Sequence, residues 1–258
     1  MSVTENNSNM EDQSHSDPAR MHRGLALIPV YNEEASVERV VAGVRKVCPE
    51  MDILVVDDGS VDGTSKILDG LGVDFVQLPY NLGYGAALQT GYRLAGLRGV
   101  HDYVVQLDAD GQHRPADIPA LVAEYRRTGA DMVIGSRFRG QDRAELHAAK
   151  RIALAFFSLL MGIVCGKRIM DVSSGFQLLS PRAYRHYASM RRFPTDFPDA
   201  DVLAAMSLAG MKIVEIGVCM NKRCAGTSMH AGLQSVVYFV KMTLAMLLVF
   251  LRGKERMP

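Results

Sequence analysis

Apolar runs of strand length alternate with longer helical patterns from Gly24 onward, and this alternation restricts the fold of the chain more than any other feature. The runs are Leu25–Val30, Ile53–Val56, Phe75–Leu78 and Tyr103–Leu107, and between them lie Ala35–Val47, Val61–Leu71 and Ala86–Ala95. Strand and helix in turn are the signature of βαβ units, in which helices cover both faces of a mainly parallel, Rossmann-like α/β sheet. A chain of 258 residues can bury one core of this kind and carry a smaller C-terminal appendage. In such sheets ligands gather beyond the carboxyl ends of the strands. The segments found there are polar: Pro29-Val30-Tyr31-Asn32-Glu33, Asp57-Asp58-Gly59-Ser60, Asn81-Leu82-Gly83 and Asp108-Ala109-Asp110-Gly111-Gln112. A later strand, Asp131–Ser136, leads into Arg137-Phe138.

The flanks have a different character. Met1 to about His22 is rich in Ser, Asn, Asp, Glu and His, which predicts a disordered tail over 1–22 with no apolar core of a secretory signal. One α/β domain is expected over 23–229 and a membrane-associating helix over 230–258. The stretch Ala153–Cys165 is almost wholly apolar between Lys150-Arg151 and Lys167-Arg168. It is shorter than the about 20 residues a bilayer span needs, so it reads as a buried helix or one lying in the membrane interface. Leu233–Leu251 is interrupted by Gln234, Ser235 and Lys241 and followed by Arg252, Lys254 and Arg256. That pattern suits a helix resting on a membrane or on a partner better than a span. Lys and Arg total 29 against 28 Asp and Glu, so nothing in the global charge points to nucleic acid as a partner. Cys48, Cys165, Cys219 and Cys224 match no common zinc or redox spacing and read as reduced thiols.

The pair Asp108 and Asp110 sets two carboxylates at the end of an apolar strand. Hard cations such as Mg²⁺ or Mn²⁺ take oxygen ligands and often bind one or two carboxylates, with water and substrate phosphate completing the shell. Such an ion can bridge a diphosphate and neutralise a leaving group. Asp57 and Asp58 precede Gly59-Ser60-Val61-Asp62-Gly63-Thr64 and suit a turn with a helix N-cap, or acceptance of hydrogen bonds from a nucleobase or ribose. Asp199 and Asp201, before another helical stretch, suit capping of that helix.

Six segments occurring in order resemble the family 2 glycosyltransferases of GT-A fold, in particular the branch that makes dolichyl- and polyprenyl-phosphate sugars. They are Pro29-Val30-Tyr31-Asn32-Glu33-Glu34, Val55 through Thr64, Asn81 through Ala87, Asp108 through His113, Gly135-Ser136-Arg137-Phe138 and Asp171 through Phe176. The resemblance spans about Leu25 to Met229. It implies a nucleotide pocket lined by Pro29, Tyr31 and Glu33, with Asp57 or Asp58 toward base and ribose. It sets Asp108, Ala109 and Asp110 against metal and diphosphate, Gln112 toward sugar or acceptor, and Arg137 near the transferring phosphates. Arg223-Cys224-Ala225-Gly226-Thr227-Ser228-Met229 is similar to a segment that closes over the donor diphosphate. Met229 stands where the family usually has lysine, with Lys222 and Arg223 as substitutes. In many members an acid at the place of Asp199 or Asp201 is the catalytic base.

The expectation is therefore an inverting, metal-dependent transfer of a sugar from a nucleoside diphosphate sugar to a polyprenyl phosphate. The enzyme would act as a peripheral protein at the cytoplasmic face of the membrane, with a small membrane subunit as a candidate partner. A lipid monophosphate is already ionised at neutral pH, so such an acceptor needs cations such as Arg137 and Arg151 more than a base. The rival acceptor is a hydroxyl of a lipid-linked or cell-wall glycan, with Asp199 or Asp201 taking its proton. A nucleotidyltransferase is disfavoured because no Gly-rich, Lys- or Arg-bearing triphosphate loop follows the first strand. Retention of both Asp108 and Asp110 argues against a non-catalytic scaffold.

Overall fold

The structure is a computed structural model, and it describes residues 23–139, 155–162, 166, 169–196, 198–221 and 243–244. The strands are β1 (Gly24–Val30), β2 (Asp52–Asp57), β3 (Asp74–Gln77), β4 (Tyr103–Gln106), β5 (Met132–Ser136), β6 (Gln177–Leu179) and β7 (Ile213–Gly217). They form one sheet in the order β3-β2-β1-β4-β6-β5-β7. β6 runs antiparallel between β4 and β5, and the other pairings are parallel. The helices are α1 (Val37–Val47), α2 (Thr64–Leu71), α3 (Tyr84–Arg98), α4 (Ile118–Thr128), α5 at 155–162, α6 (Pro181–Ser189) and α7 (Ala200–Leu208).

The unbroken apolar runs follow from burial on both faces. Leu25, Leu27, Leu54, Val56 and Val104 point to one side, into a core shared with α3, α5, α6 and α7. Their neighbours Ala26, Ile28, Ile53, Val55 and Val105 point to the other, against α1, α2 and α4. Each fully buried Leu, Ile or Val contributes about 1.5–3 kcal/mol, so the central strands anchor the fold.

From β3, at one edge, the chain crosses back over β1 to form β4 on its other side, so the direction of winding reverses between β1 and β4. The carboxyl ends of strands diverge at such a point and leave a crevice. Pro29 marks the divergence. Leu27 turns its backbone toward β4, accepting from the Leu107 N–H at 3.1 Å, and Val30 turns toward β2, accepting from the Asp58 N–H at 2.9 Å. By alternation Pro29 faces β4, and the β1–β4 register ends at the Leu27 and Gln106 pair. The missing proline N–H thus falls where the ladder has already stopped.

In α5, Phe157 and Met161 enter the core while Phe156 and Leu159 are 41% and 59% exposed. Among the described residues no helix is long and apolar enough to cross a membrane. The expected tail over 1–22 lies outside the described residues. Of 230–258 only 243–244 are described, and they are helical.

Candidate functional site

The loops after β1 and β2 brace one another. Asn32, at φ 55°, accepts the Val61 N–H on its side-chain oxygen at 2.9 Å and donates its own N–H to the Ser60 hydroxyl at 2.9 Å. The Glu34 carboxylate accepts the Gly63 N–H at 2.7 Å. Glu33 is half-buried, donates its N–H to the Thr64 hydroxyl at 2.9 Å, and accepts a short hydrogen bond from Ser36 in the first turn before α1. Tyr31 is 43% exposed at the mouth of the crevice, whereas Pro29 is buried in β1.

Asp57 and Asp58 hold the backbone around them. Asp57 is fully buried and accepts from the Ser60 N–H at 2.9 Å and the Ser65 hydroxyl at 2.5 Å. Asp58 accepts the Leu82 and Gly83 N–H groups at 2.8 and 2.9 Å, tying β2 to the start of α3. Burial pushes the Asp58 carboxyl above its ordinary value, against the pull of those two N–H groups. The glycines of Asn81-Leu82-Gly83-Tyr84-Gly85 admit a neighbouring backbone. The Gly85 N–H donates to the Thr195 carbonyl at 2.7 Å, and a Cβ at Gly85 would lie 1.9 Å from the Pro194 carbonyl oxygen. The segment so docked leads directly to Asp199 and Asp201.

Asp108 and Asp110 follow β4 at the crevice. The Asp108 side chain is 31% exposed, and Asp110 is 5% exposed. Asp110 accepts the Gln112 N–H at 2.9 Å, closing a tight turn that leaves Gln112 half-buried beside it and Ala109 buried beneath. His113 is stacked on Phe176 at 5.1 Å, and its Nδ1 accepts the Asp108 N–H at 2.9 Å. The ring is therefore a brace for the turn, with its proton on Nε2. Asn221 pins the other side, donating its N–H to the Gln112 carbonyl at 2.9 Å and its side-chain amide to the Gly111 carbonyl at 3.2 Å.

Tyr84 and Arg137 approach Asp108 from other elements. The Tyr84 hydroxyl, from α3, donates to Asp108 Oδ1 at 2.7 Å and accepts from Gln106 Nε2 at 3.0 Å. Burial first, then the adjacent Asp108 charge, hold the Tyr84 phenol well above the ordinary tyrosine range, so it remains a donor. Arg137, at the end of β5, is paired with fully buried Asp171 and also donates to the Ser173 hydroxyl at 2.8 Å. Burial works against the guanidinium charge, and the hydrogen bond and charge of Asp171, with the charges of Asp199 and Asp108, outweigh it. Asp199 thus lies within electrostatic reach of both Arg137 and Tyr84. Asp201 instead acts on Tyr187 in the aromatic cluster, and burial pushes its carboxyl up to about 6 although the Val202 N–H donates to it at 2.8 Å.

The chemistry of these donors fits a divalent cation. Asp108 and Asp110 offer hard oxygen ligands two residues apart, and among the described residues no group of three or more His, Cys, Asp or Glu side chains is placed to hold an ion by itself. A cation there would complete its shell with phosphate oxygens and water, as Mg²⁺ and Mn²⁺ commonly do. A cavity of about 300 Å³ lined by Glu124, Arg139, Ile169, Ile213, Val214 and Glu215 lies at the β5–β7 edge, away from these carboxylates. Its Glu215 accepts the Asp171 N–H at 2.8 Å, so that edge supports the Arg137 pair from behind. Arg151, Lys222, Arg223 and Met229 lie outside the described residues. The sequence reading assigned no role to Tyr84, Gln106 or Asp171, although Tyr84 and Asp171 fall within two of its segments.

Comparison with known proteins accords with this geometry. Residues 26–188 match the family model described as glycosyl transferase family 2. The chain is 30% identical over 243 residues to a polyprenol monophosphomannose synthase of Mycolicibacterium smegmatis, covering 86% of this chain and 87% of the relative. It is 31% identical over 223 residues to an undecaprenyl-phosphate mannosyltransferase of Micrococcus luteus, covering 81% of this chain and 88% of that one. Among solved structures, mannosyl-3-phosphoglycerate synthase of Rubrobacter xylanophilus superposes with a TM-score of 0.63 at 19% identity, over 90% of this chain and 73% of that chain. Glucosyl-3-phosphoglycerate synthase of Mycobacterium tuberculosis, in complex with Mn²⁺ and UDP-glucose, gives 0.62 at 19% identity, over 91% and 81% of the two chains. At that identity the likeness concerns the fold, which is GT-A. Sheet, crevice and matched sequence agree, and the chain belongs to glycosyl transferase family 2 and is a glycosyltransferase.

Proposed function

We propose that this enzyme transfers a sugar from a nucleoside diphosphate sugar to a polyprenyl phosphate, with inversion at the anomeric carbon. The observation that carries the reading is the half-buried Asp108 carboxylate at the switch-point crevice, with Asp110 beside it and the Arg137–Asp171 pair nearby. The names of the relatives, a polyprenol monophosphomannose synthase and an undecaprenyl-phosphate mannosyltransferase, support the acceptor class.

In the proposed reaction an ionised oxygen of the lipid phosphate attacks the anomeric carbon as the bond to the nucleoside diphosphate breaks on the opposite face. Asp108 and Asp110 hold a Mg²⁺ or Mn²⁺ ion, which when bound offsets the charge of the departing diphosphate. Tyr31 borders the nucleotide pocket, and Asp58 with Glu33 keeps the loops of that pocket in shape. Ala109, packed in the core, anchors the diphosphate-facing turn from beneath, and Gln112 faces the sugar. Arg137 positions the acceptor phosphate while Asp171 fixes the plane of its guanidinium. Arg223, from the segment similar to a closing loop, contributes to the donor diphosphate.

The exposed Phe156 and Leu159 of α5 suit a helix that rests in the membrane interface, in keeping with a peripheral enzyme at the cytoplasmic face. A small membrane subunit remains a candidate partner for the C-terminal segment. One observation favours the hydroxyl-acceptor reading instead: Asp199 lies within reach of Arg137 and Tyr84, where a base would be required. Purified enzyme given labelled donor with undecaprenyl phosphate or with a lipid-linked glycan separates the two. Label in the phosphate-linked lipid supports the first, and label in the glycan alone overturns it.

A further inference from the structure

Tyr92, Gln106, Tyr84 and Asp108 form one hydrogen-bonded line whose donors all point the same way. The Tyr92 hydroxyl donates a short bond to Gln106 Oε1, Gln106 Nε2 donates to the Tyr84 hydroxyl at 3.0 Å, and Tyr84 donates to Asp108 Oδ1 at 2.7 Å. Tyr92 is fully buried and Gln106 is 3% exposed, so the line starts in the core and ends at the crevice. The single Tyr84 proton goes to Asp108, so the Tyr84 oxygen can only accept from Gln106, which fixes the amide's orientation and the direction of the line. Donors aligned in series strengthen one another and confine the last acceptor. Gly175 closes the fourth side: a Cβ there would lie 2.9 Å from the Tyr84 hydroxyl and 3.4 Å from both Asp108 carboxylate oxygens.

We infer that Tyr84 is the positioning residue for Asp108, fixing Oδ1 and so leaving Oδ2, 3.6 Å from His113 Nδ1, as the oxygen that would serve a divalent cation; this rests on the proposed reading in which Asp108 and Asp110 hold that cation. Gln106 and Tyr92 hold the phenol, and Gly175 leaves room for it.

Mn²⁺ binding in the presence of UDP or GDP, followed by loss of the free-ion EPR signal, tests the inference independently of turnover. Tyr84→Phe removes a single oxygen and is expected to weaken Mn²⁺ binding about 10- to 100-fold, the range usual for groups that orient a metal ligand. Tyr92→Phe should act in the same direction but less. Gly175→Ala keeps every hydrogen-bonding group and should also weaken binding, so it carries the test if Tyr84→Phe does not fold. Each protein is measured well below its unfolding midpoint. Wild-type Mn²⁺ affinity in Tyr84→Phe and Gly175→Ala, with binding lost in Asp108→Ala, would overturn the positioning role and leave the cation reading standing. Equal Mn²⁺ binding by wild type and Asp108→Ala would overturn the cation reading and this inference with it.

Discussion

Arg137 and Asp171 meet through two charge-assisted hydrogen bonds, Nε to Oδ2 at 2.9 Å and Nη2 to Oδ1 at 2.7 Å, and the Asp171 backbone in turn binds Glu215 of β7. The pair links the end of β5 to the Asp171-to-Phe176 segment, so the cation beside the crevice is also a structural tie. Removing one partner leaves a buried charge uncompensated, which costs far more than the pair contributes.

Arg137→Ala should therefore lose about 3–5 kcal/mol of stability as well as turnover. Adding Asp171→Asn to that variant should recover part of the stability and none of the turnover. Urea unfolding with parallel transfer assays reads both. A wild-type unfolding midpoint for Arg137→Ala would contradict the buried pair.

Glycines in and near α3 should separate by their surroundings. Gly85→Ala drives a methyl into the Pro194 carbonyl and is expected to cost about 1–3 kcal/mol or more. Gly96→Ala meets nothing within 4 Å in the same helix and should stabilise by up to about 1 kcal/mol. Thermal unfolding of the two variants checks the contrast, and equal shifts would contradict the docking of 194–195 on α3.

How much of this could be read in advance depended on where local pattern and tertiary contact agree. β1, β2 and β4 are buried on both faces and β3 carries the short apolar pair Phe75-Val76 at the edge, all bounded by polar turns, so their alternation with helices was visible within a few residues. β6 has three residues and pairs antiparallel between β4 and β5, and β7 carries Glu215 mid-strand; neither has a period long enough to stand out. At the site, Asp108, Asp110 and Arg137 stood at strand ends where the architecture directs attention. Gln106 was hidden inside an apolar run, and the partnership of Asp58 with Leu82 and Gly83 joins segments 24 and 25 residues apart. Asp199 and Asp201 look alike in sequence, and only the fold separates one within electrostatic reach of Arg137 from one within reach of Tyr187.

Asp201 gives a pH signature. Burial raises its carboxyl from 3.8 to about 6, so its stabilising contribution is fully present below about pH 4 and lost as pH rises through 6. Asp201→Asn keeps the neutral shape and should lose this dependence. Between pH 4 and 8 the stability difference should move in the variant's favour by about 2 kcal/mol, whatever constant offset the amide adds. Asp58 has the same sign and is common to both proteins, so it cancels. Parallel pH profiles of unfolding free energy would contradict this account of Asp201.

Asp199 distinguishes the acceptors kinetically. With an ionised phosphate as nucleophile, Asp199→Asn should keep turnover within about tenfold of wild type at saturating donor. A loss of about a hundredfold or more, in a folded variant, would assign it the role of general base and favour a hydroxyl acceptor.

The most direct test of the account is transfer itself, measured as organic-extractable label from nucleoside diphosphate sugars into undecaprenyl phosphate, with Mn²⁺ or Mg²⁺ and with excess EDTA. One donor should label the lipid in the presence of the ion, and EDTA, Asp108→Ala and Asp110→Ala should each abolish the product while the proteins remain folded. Full transfer in EDTA or by both variants, or label that enters only a hydroxyl acceptor, would contradict it.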